Sequence, residues 1–216
     1  MLFKYLFDPP VCSHETELSS FSSMLFPDEL AAIAGSVESR RREFAGGRAC
    51  ARQALTALGL PLMAIPAGLD RAPIWPAGVV GSISHSLTRC VAAVARQSDG
   101  FISIGVDLEE STPLDEIFAL DICTRLEQSW LDRQQPGQRG LLLKALFSAK
   151  ECAYKCQYPL TKRLLGYDAM RIELDVSARS FTAYFEIDAE PFKAGDRLDG
   201  RIGFAGGHIA SAITFR

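Results

Sequence analysis

No run of this 216-residue chain is long and apolar enough to span a membrane, so a transmembrane role is not expected. The opening "MLFKYLFDPPVCSHETE" has too short an apolar stretch to read as a signal peptide, and it meets prolines and acids early. Strong net charge is missing too. Lysine and arginine total 23 against 26 acids, a formal charge of −3, which gives no basis for non-specific nucleic-acid binding. A polyanion would have to be held by a local basic cluster. No second cysteine pair lies near a histidine. Cys152 and Cys156 are i,i+4, a spacing some zinc sites use, but the six scattered cysteines read as reduced, mostly buried thiols of a cytoplasmic protein. G-x-S-x-G is absent, which argues against a serine nucleophile although Ser82, Ser84 and Ser86 alternate. What is present is 48% hydrophobic and 23% charged, enough to bury the core of one large domain or two small ones.

The first 35 residues are turn-rich, with a short helix at "FPDELAAIAGS", where Pro27 and Asp28 suit a helix start. Residues 37–61 predict a long helix, ended by Gly59 and Pro61. Its Gly46-Gly47 pair costs helix propensity, about 1 kcal/mol per glycine, and points to close packing, a ligand against backbone, or a kink. A proline-punctuated loop follows to residue 80. "VVGSISHS" and "CVAAVAR" predict two strands around a turn, and "ISIGVDLEE" a strand with an acidic end. Residues 110–138 are mixed helix and loop. "RGLLLKALFSAKECAYKCQ" predicts a long apolar helix, and "AMRIELDV", "SFTAYFEID" and "HIASAITF" alternate as antiparallel strands do. The run from Gly81 can be laid over the run from Gly200, each a short strand, a turn and an apolar strand, and each preceded by a long helix. The order suggests two related halves, 1–103 and 104–216, with a site between them; two small hairpins alike by coincidence is the other reading.

The chemistry-bearing residues are few. Asp107 and Glu109 are two apart, so on a strand they share a face. Two adjacent carboxylates repel unless something positive lies between them, and a hard cation would serve. A solvated acidic strand end is the plainer reading. In "FSAKECAYK", Glu151 and Lys155 are i,i+4, as an ordinary surface pair would be. The surrounding helix is apolar, however, and charges there need partners. Arg40, Arg41, Arg42 and Arg48 crowd one segment, with Arg71 and Arg89 elsewhere. They form either a solvated face or a phosphate dock. His85, between two serines, is either structural or a phosphate or proton-transfer group.

Together these residues resemble a known pattern. "GVDLE" at 105–109, followed about forty residues later by "FSAKECAYK", resembles the signature of 4'-phosphopantetheinyl transferases of the Sfp/EntD type. "RRREFAGGRACARQAL" and "RAPIWPAGVVGSISHS" resemble it too, the latter most in the branch serving enterobactin and other siderophore synthetases, where many members carry cysteine in place of Ser86. The resemblance covers residues 37–158 well and the remainder in element order. It implies an α+β fold: a pseudodimer of two similar α/β halves, each a small, mainly antiparallel sheet packed by a long helix, with the coenzyme A and metal site at the interface.

The resemblance also implies a reaction: Mg²⁺-dependent transfer of the phosphopantetheine arm of coenzyme A to a serine of an apo carrier protein, releasing 3',5'-ADP. By this likeness Asp107, Glu109 and Glu151 match the metal ligands, with Mn²⁺ the alternative ion, and Glu151 also matches the general base. Lys155 matches a lysine on the phosphates at the reaction centre. Arg48 and His85 match contacts to coenzyme A, in particular its 3'-phosphate. Ser84 and Lys150 belong to the neighbouring pattern, and Arg41 and Arg71 are further phosphate contacts. Partners would be carrier domains of siderophore, peptide, polyketide or fatty-acid synthases, met through an exposed apolar patch that includes residues 111–126. A cytoplasmic monomer is expected. The rival readings are a non-catalytic coenzyme A or nucleotide-binding module and a structural protein with solvated charges.

Overall fold

The structure, a computed structural model, describes residues 2–18 and 25–216. Residues 1 and 19–24 of the turn-rich opening segment lie outside the described residues. The described residues form, in order, β1 (Cys12–Glu17), α1 (Pro27–Leu30), α2 (Glu38–Ala57), β2 (Val79–His85), β3 (Arg89–Arg96), β4 (Ser103–Glu110), α3 (Ala119–Ile122), α4 (Arg125–Asp132), α5 (Pro136–Thr161), β5 (Met170–Asp175), β6 (Ser180–Phe185), β7 (Arg197–Ala205) and β8 (His208–Phe215). They build two fully antiparallel sheets, β1-β3-β2 and β4-β8-β7-β6-β5. The α+β expectation therefore holds. β1 is the strand that the sequence hides. "CSHETE" is polar and does not alternate cleanly, so it read as turn. It adds to the edge of β3, and Glu15 turns inward to accept the Leu2 and Phe3 amides at 2.6 and 3.0 Å.

The two hairpins of the suspected repeat share one register. Gly81 faces Val94 and Gly200 faces Ile213, so one constant shift along the chain carries the first pair onto the second. The neighbours match as well. β1 lies against β3 as β4 lies against β8, and a long helix sits between strand and hairpin each time.

Period-two alternation sorts these strands into layers. On β3, Cys90, Ala92 and Val94 pack on α2 with Cys50, Ala51, Ala54 and Leu55. The other face, Val91, Ala93 and Ala95, meets Ile104, Val106, Leu108, Ala210 and Ala212 between the sheets. Small residues on both sides let the sheets approach closely. α5 covers the far face of the second sheet with Leu143, Leu146, Ala149, Cys152, Ala153 and Cys156.

Close approach settles the glycine pair of α2. A Cβ on Gly46 would sit 2.7 Å from Leu18 Cδ2, and one on Gly47 would sit 2.8 Å from Ile83 Cγ2, so the pair exists to seat the helix on β1 and β2. On the other side, a Cβ on Gly105 would overlap the Cys152 carbonyl and lie 2.9 Å from Cys156 Cβ. Ser103 fixes the same contact by donating to the Cys156 carbonyl at 2.6 Å. Gly105→Ala is therefore expected to cost about 2 kcal/mol in urea denaturation, by pushing α5 off β4. Gly137→Ala, in the first turn of α5 with open space around it, should instead stabilise by ~0.5–1 kcal/mol.

Candidate active site

The two sheets meet edge to edge along β2 and β4, and they do so without a backbone ladder. Ser82 Oγ accepts the Val106 amide at 3.1 Å, and Ser84 Oγ accepts the Leu108 amide at 3.3 Å. Ser86 donates to Glu110 at 2.9 Å. The alternating serines thus close an edge that would otherwise expose unpaired amides. Thr88 and His208 complete the junction, each within 3.2 Å of Glu110.

β4 alternates across this seam. Even residues enter the core between the sheets, and odd residues turn towards α5. Asp107 and Glu109 therefore do share a face, and α5 meets them with Lys144, Phe147, Glu151 and Lys155, which recur at helical spacing. A cleft of about 270 Å³ opens there, lined also by Ser84 and His85 of β2, by Arg40, Glu43, Gly47 and Arg48 of α2, and by Arg71 of the preceding loop.

Each acid has its own partner. Lys155 Nζ donates to Asp107 Oδ1 at 2.6 Å and to Ser84 Oγ at 2.9 Å, while Ser84 donates to the same Oδ1 at 3.1 Å. Burial works against the Lys155 charge, yet Asp107 outweighs it and holds the ammonium above its ordinary pKa. Lys144 donates to Glu109 Oε2 at 3.1 Å. Burial first, then the Asp107 charge, pushes the Glu109 carboxyl above the usual glutamate value against the pull of Lys144. Tyr167 donates to Glu151 Oε1 at 2.8 Å, and its ring stacks obliquely on Phe147. Burial and then that bond raise the phenol's pKa, so it stays a donor.

The cationic end is assembled from α2. Arg48 is 5% exposed, donates Nε to the Ile65 carbonyl at 2.7 Å and lies 4.1 Å over the Phe44 ring. Burial lowers its pKa to about 10, against the opposing charge of Glu29, so it remains charged at neutral pH. His85 Nε2 lies 3.3 Å from Arg40 Nη1 and 3.5 Å from Glu43. Arginine can only donate, so that contact requires an unprotonated Nε2. The shift agrees: burial foremost lowers the His85 pKa, Glu43 opposing and Arg40 and Lys155 adding to it. Arg71 is held at φ +64°, a conformation unusual for a non-glycine residue. Its loop is tied to α5 by Tyr158, which donates to Asp70 at 3.1 Å.

Among the described residues, two buried side-chain atoms lack any hydrogen-bond partner: Asp107 Oδ2 and Arg48 Nη2. Both belong to residues of this cleft. The first is an unmet acceptor and the second an unmet donor. The donor set suits a hard divalent ion, being all carboxylate oxygen with one open atom on Asp107. Among the described residues no three His, Cys, Asp or Glu side chains converge on one point. Glu109 and Glu151 would have to exchange Lys144 and Tyr167 for the ion.

Two residues named from sequence stand outside. Arg41 does not line the cleft, and its Nε donates to the Ser36 carbonyl at 2.9 Å. Lys150 is 3% exposed and is spent on Glu127 at 2.9 Å and on the Tyr167 and Met170 carbonyls, both at 2.6 Å. It ties α4, α5 and β5 together. Conversely, Lys144, Tyr167 and Glu43 take part in the site although the sequence does not single them out, and Arg40 of the basic cluster lines the cleft. Lys144 was within reach, since it lies two helical turns before Glu151. Tyr167 arrives from a turn after α5, and no periodicity announces it.

Lys155 neutralises an Asp107 that is only 2% exposed. Lys155→Met should therefore cost about 3 kcal/mol in chemical denaturation, because it strands a buried charge. Lys155→Met/Asp107→Asn should recover most of that loss.

Comparison with known proteins gives two adjoining matches. Residues 28–95 match the 4'-phosphopantetheinyl transferase N-terminal domain, and residues 103–201 match the 4'-phosphopantetheinyl transferase superfamily. The chain is 40% identical over 179 residues to the 4'-phosphopantetheinyl transferase Svp of Streptomyces mobaraensis, covering 82% of this chain and 72% of that one. It is 40% identical over 199 residues to the 4'-phosphopantetheinyl transferase Npt of Nocardia iowensis, covering 88% of each. Enterobactin synthase component D of Salmonella typhimurium is 36% identical over 124 residues, 54% of this chain and 47% of that one. With β2 to β6, both long helices and every cleft-lining residue inside the matched segments, the chain is an enzyme of the 4'-phosphopantetheinyl transferase superfamily.

Proposed function

We propose that this enzyme moves the 4'-phosphopantetheine arm of coenzyme A onto a serine of an apo carrier protein, with Mg²⁺ or Mn²⁺ held by Asp107, Glu109 and Glu151, and releases 3',5'-ADP. The observation that carries this reading is the pair of unmet groups in one cleft, Asp107 Oδ2 and Arg48 Nη2. An open carboxylate oxygen suits a cation, an open guanidinium N–H suits an anion, and coenzyme A with its counter-ion presents both. The halves 1–103 and 104–216 would then each supply one wall.

The divalent ion would supply charge neutralisation to the diphosphate. Glu151 would take the proton from the carrier serine, its carboxylate oriented by the Tyr167 hydroxyl. The serine oxygen would form a bond to the phosphorus that bears the pantetheine arm. The bond from that phosphorus to the bridging oxygen would break, and 3',5'-ADP would leave with the electron pair. Lys155, fixed by Asp107 and Ser84, would steady the charge on the departing phosphate. Arg48 and His85 would hold the 3'-phosphate, with Arg71 as a further phosphate contact.

A second cavity of about 410 Å³ shares Glu151 with the cleft and is lined by Tyr154, Leu164, Leu165, Tyr167, Met170 and Lys150, whose ammonium is spent on Glu127. Its apolar lining suits the uncharged pantetheine arm. Ile117, Phe118, Leu120 and Leu126 are exposed on the segment after β4, a surface suited to the carrier. Carriers of siderophore and other peptide synthetases are the first choice, with polyketide and fatty-acid carriers behind them. The reading describes a cytoplasmic monomer. Among the described residues, no helix is long and apolar enough to cross a membrane.

Mixing the protein with coenzyme A, Mg²⁺ and apo peptidyl, aryl and acyl carriers, then weighing the carriers, tests the reading. A gain of one phosphopantetheine (about 340 Da from its composition) is expected on at least one carrier. No gain on any would overturn it. Asp107→Ala and Glu151→Ala should each lower kcat by about 10²–10⁴-fold. Coenzyme A binding should also take up a proton. In the free protein burial holds the His85 imidazole below its ordinary pKa and so neutral near pH 7, and a bound phosphate favours the charged form. Affinity should therefore rise as pH falls from 7 towards 6. Calorimetry in buffers of different ionisation heat should show the uptake, and His85→Gln should abolish it.

A further inference from the structure

Among the described residues, Arg48 is the one cleft arginine whose side chain is held by a buried carbonyl, and the residue that supplies that carbonyl is itself held. Its Nε donates to Ile65 O at 2.7 Å, while Ile65 N donates to Glu29 Oε1 at 2.8 Å. Ile65 is fully buried and precedes Pro66, which confines it to extended backbone. Glu29 is fully buried too. Its carboxylate also accepts from Arg52 Nη1 at 2.8 and 3.0 Å and from the Phe26 amide at 3.0 Å. Among the described residues no cleft-lining side chain is hydrogen-bonded to Glu29, whose charge acts on Arg48 through space.

We propose that Glu29 is a positioning residue for the anionic end of coenzyme A: it clamps residue 65, and residue 65 aims Arg48, so that Glu29 sets the preference for a 3'-phosphate without touching it. The inference rests on the reading above in which Arg48 faces that phosphate. Three features support it. First, a buried carboxylate is costly unless its bonds are satisfied, and one of the Glu29 bonds holds the amide of Ile65, the residue whose carbonyl aims Arg48. Arg52 alone would be enough to neutralise it, so the bond to Ile65 needs another reason. Second, the clamp leaves Arg48 with one committed nitrogen, Nε, and one open one, Nη2. The guanidinium fork is therefore fixed in plane with a donor to spare. Third, the same loop continues to Arg71. The Ile74 amide donates to the Pro66 carbonyl at 2.9 Å, so the frame that begins at Glu29 carries a second cleft arginine.

The test compares kcat/KM for coenzyme A and for 3'-dephospho-coenzyme A. The proteins are the wild type, Arg48→Ala, Glu29→Leu, which removes the acceptor of the Ile65 amide, and, as a control, Arg52→Gln, which alters the same buried pair but leaves the Glu29–Ile65 bond. The expected result is that Glu29→Leu lowers the preference for coenzyme A about tenfold, mainly through KM for coenzyme A, with kcat on the dephospho substrate kept. Arg48→Ala should lower it at least as far, and Arg52→Gln should change it little. If Glu29→Leu does not fold, Glu29→Leu/Arg52→Met replaces the buried ion pair by an apolar pair and gives the same comparison. If Arg48→Ala loses the preference and the Glu29 variant keeps it, this inference fails and the reading of Arg48 stands. If Arg48→Ala itself keeps the preference, the reading of Arg48 fails and the inference with it. A purely structural Glu29 would lower thermal stability and slow both substrates alike.

Discussion

The whole site depends on how two sheet edges are joined. β2 and β4 are each the edge of a sheet, and a direct ladder between them would set the strands about 4.8 Å apart. Serine hydroxyls stand between them instead, with Ser82 and Ser84 accepting β4 amides. A bridge through a side chain leaves more room than a ladder and puts a hydroxyl where a carbonyl would have been. Ser84 uses that freedom. One oxygen meets the Leu108 amide, Lys155 and Asp107, so sheet one, sheet two and α5 are pinned at a single point.

From that point the cleft follows. Because Ser84 and Lys155 both take Asp107 Oδ1, Oδ2 is left open in a residue nearly without solvent contact. Burying an unsatisfied carboxylate oxygen and an unsatisfied guanidinium N–H costs stability, of order 1–3 kcal/mol each. Native folds keep few such groups. That both lie in one small cleft is the conflict between stability and chemistry expected at a binding site. The rest of the molecule is built the other way. Lys150 and Glu127, or Arg52 and Glu29, are equally buried charges with full sets of partners.

How much of this was legible in the sequence varied with the kind of signal. Period two put Asp107 and Glu109 on one face, and the spacing of Glu151 and Lys155 put both on one side of α5. Those are local regularities, and the structure reproduces them. The weak likeness of the runs from Gly81 and Gly200 reappears as one shared register. The serines were visible as an alternating run, but their role was not, since what they bridge lies twenty or more residues away. β1 was hidden by its polarity. Lys150 belongs to the neighbouring pattern of the family resemblance, yet it does not line the cleft. A one-residue step on a helix turns a side chain by about 100°, and that turn carries it into the Glu127 pair. Arg41 is separated from Arg40 by the same turn, and only Arg40 reaches the cleft. Tyr167 and Glu29 required the tertiary fold.

The central claim is that Asp107 Oδ2 is open because a divalent ion belongs there when coenzyme A is bound. The most direct measurement is Mn²⁺ titration followed by electron paramagnetic resonance, with and without coenzyme A, on the wild type and on Asp107→Asn. The account predicts one ion per chain, bound tightly only with coenzyme A present, and binding at least tenfold weaker in Asp107→Asn. Equal Mn²⁺ binding by the two proteins in the presence of coenzyme A would contradict it.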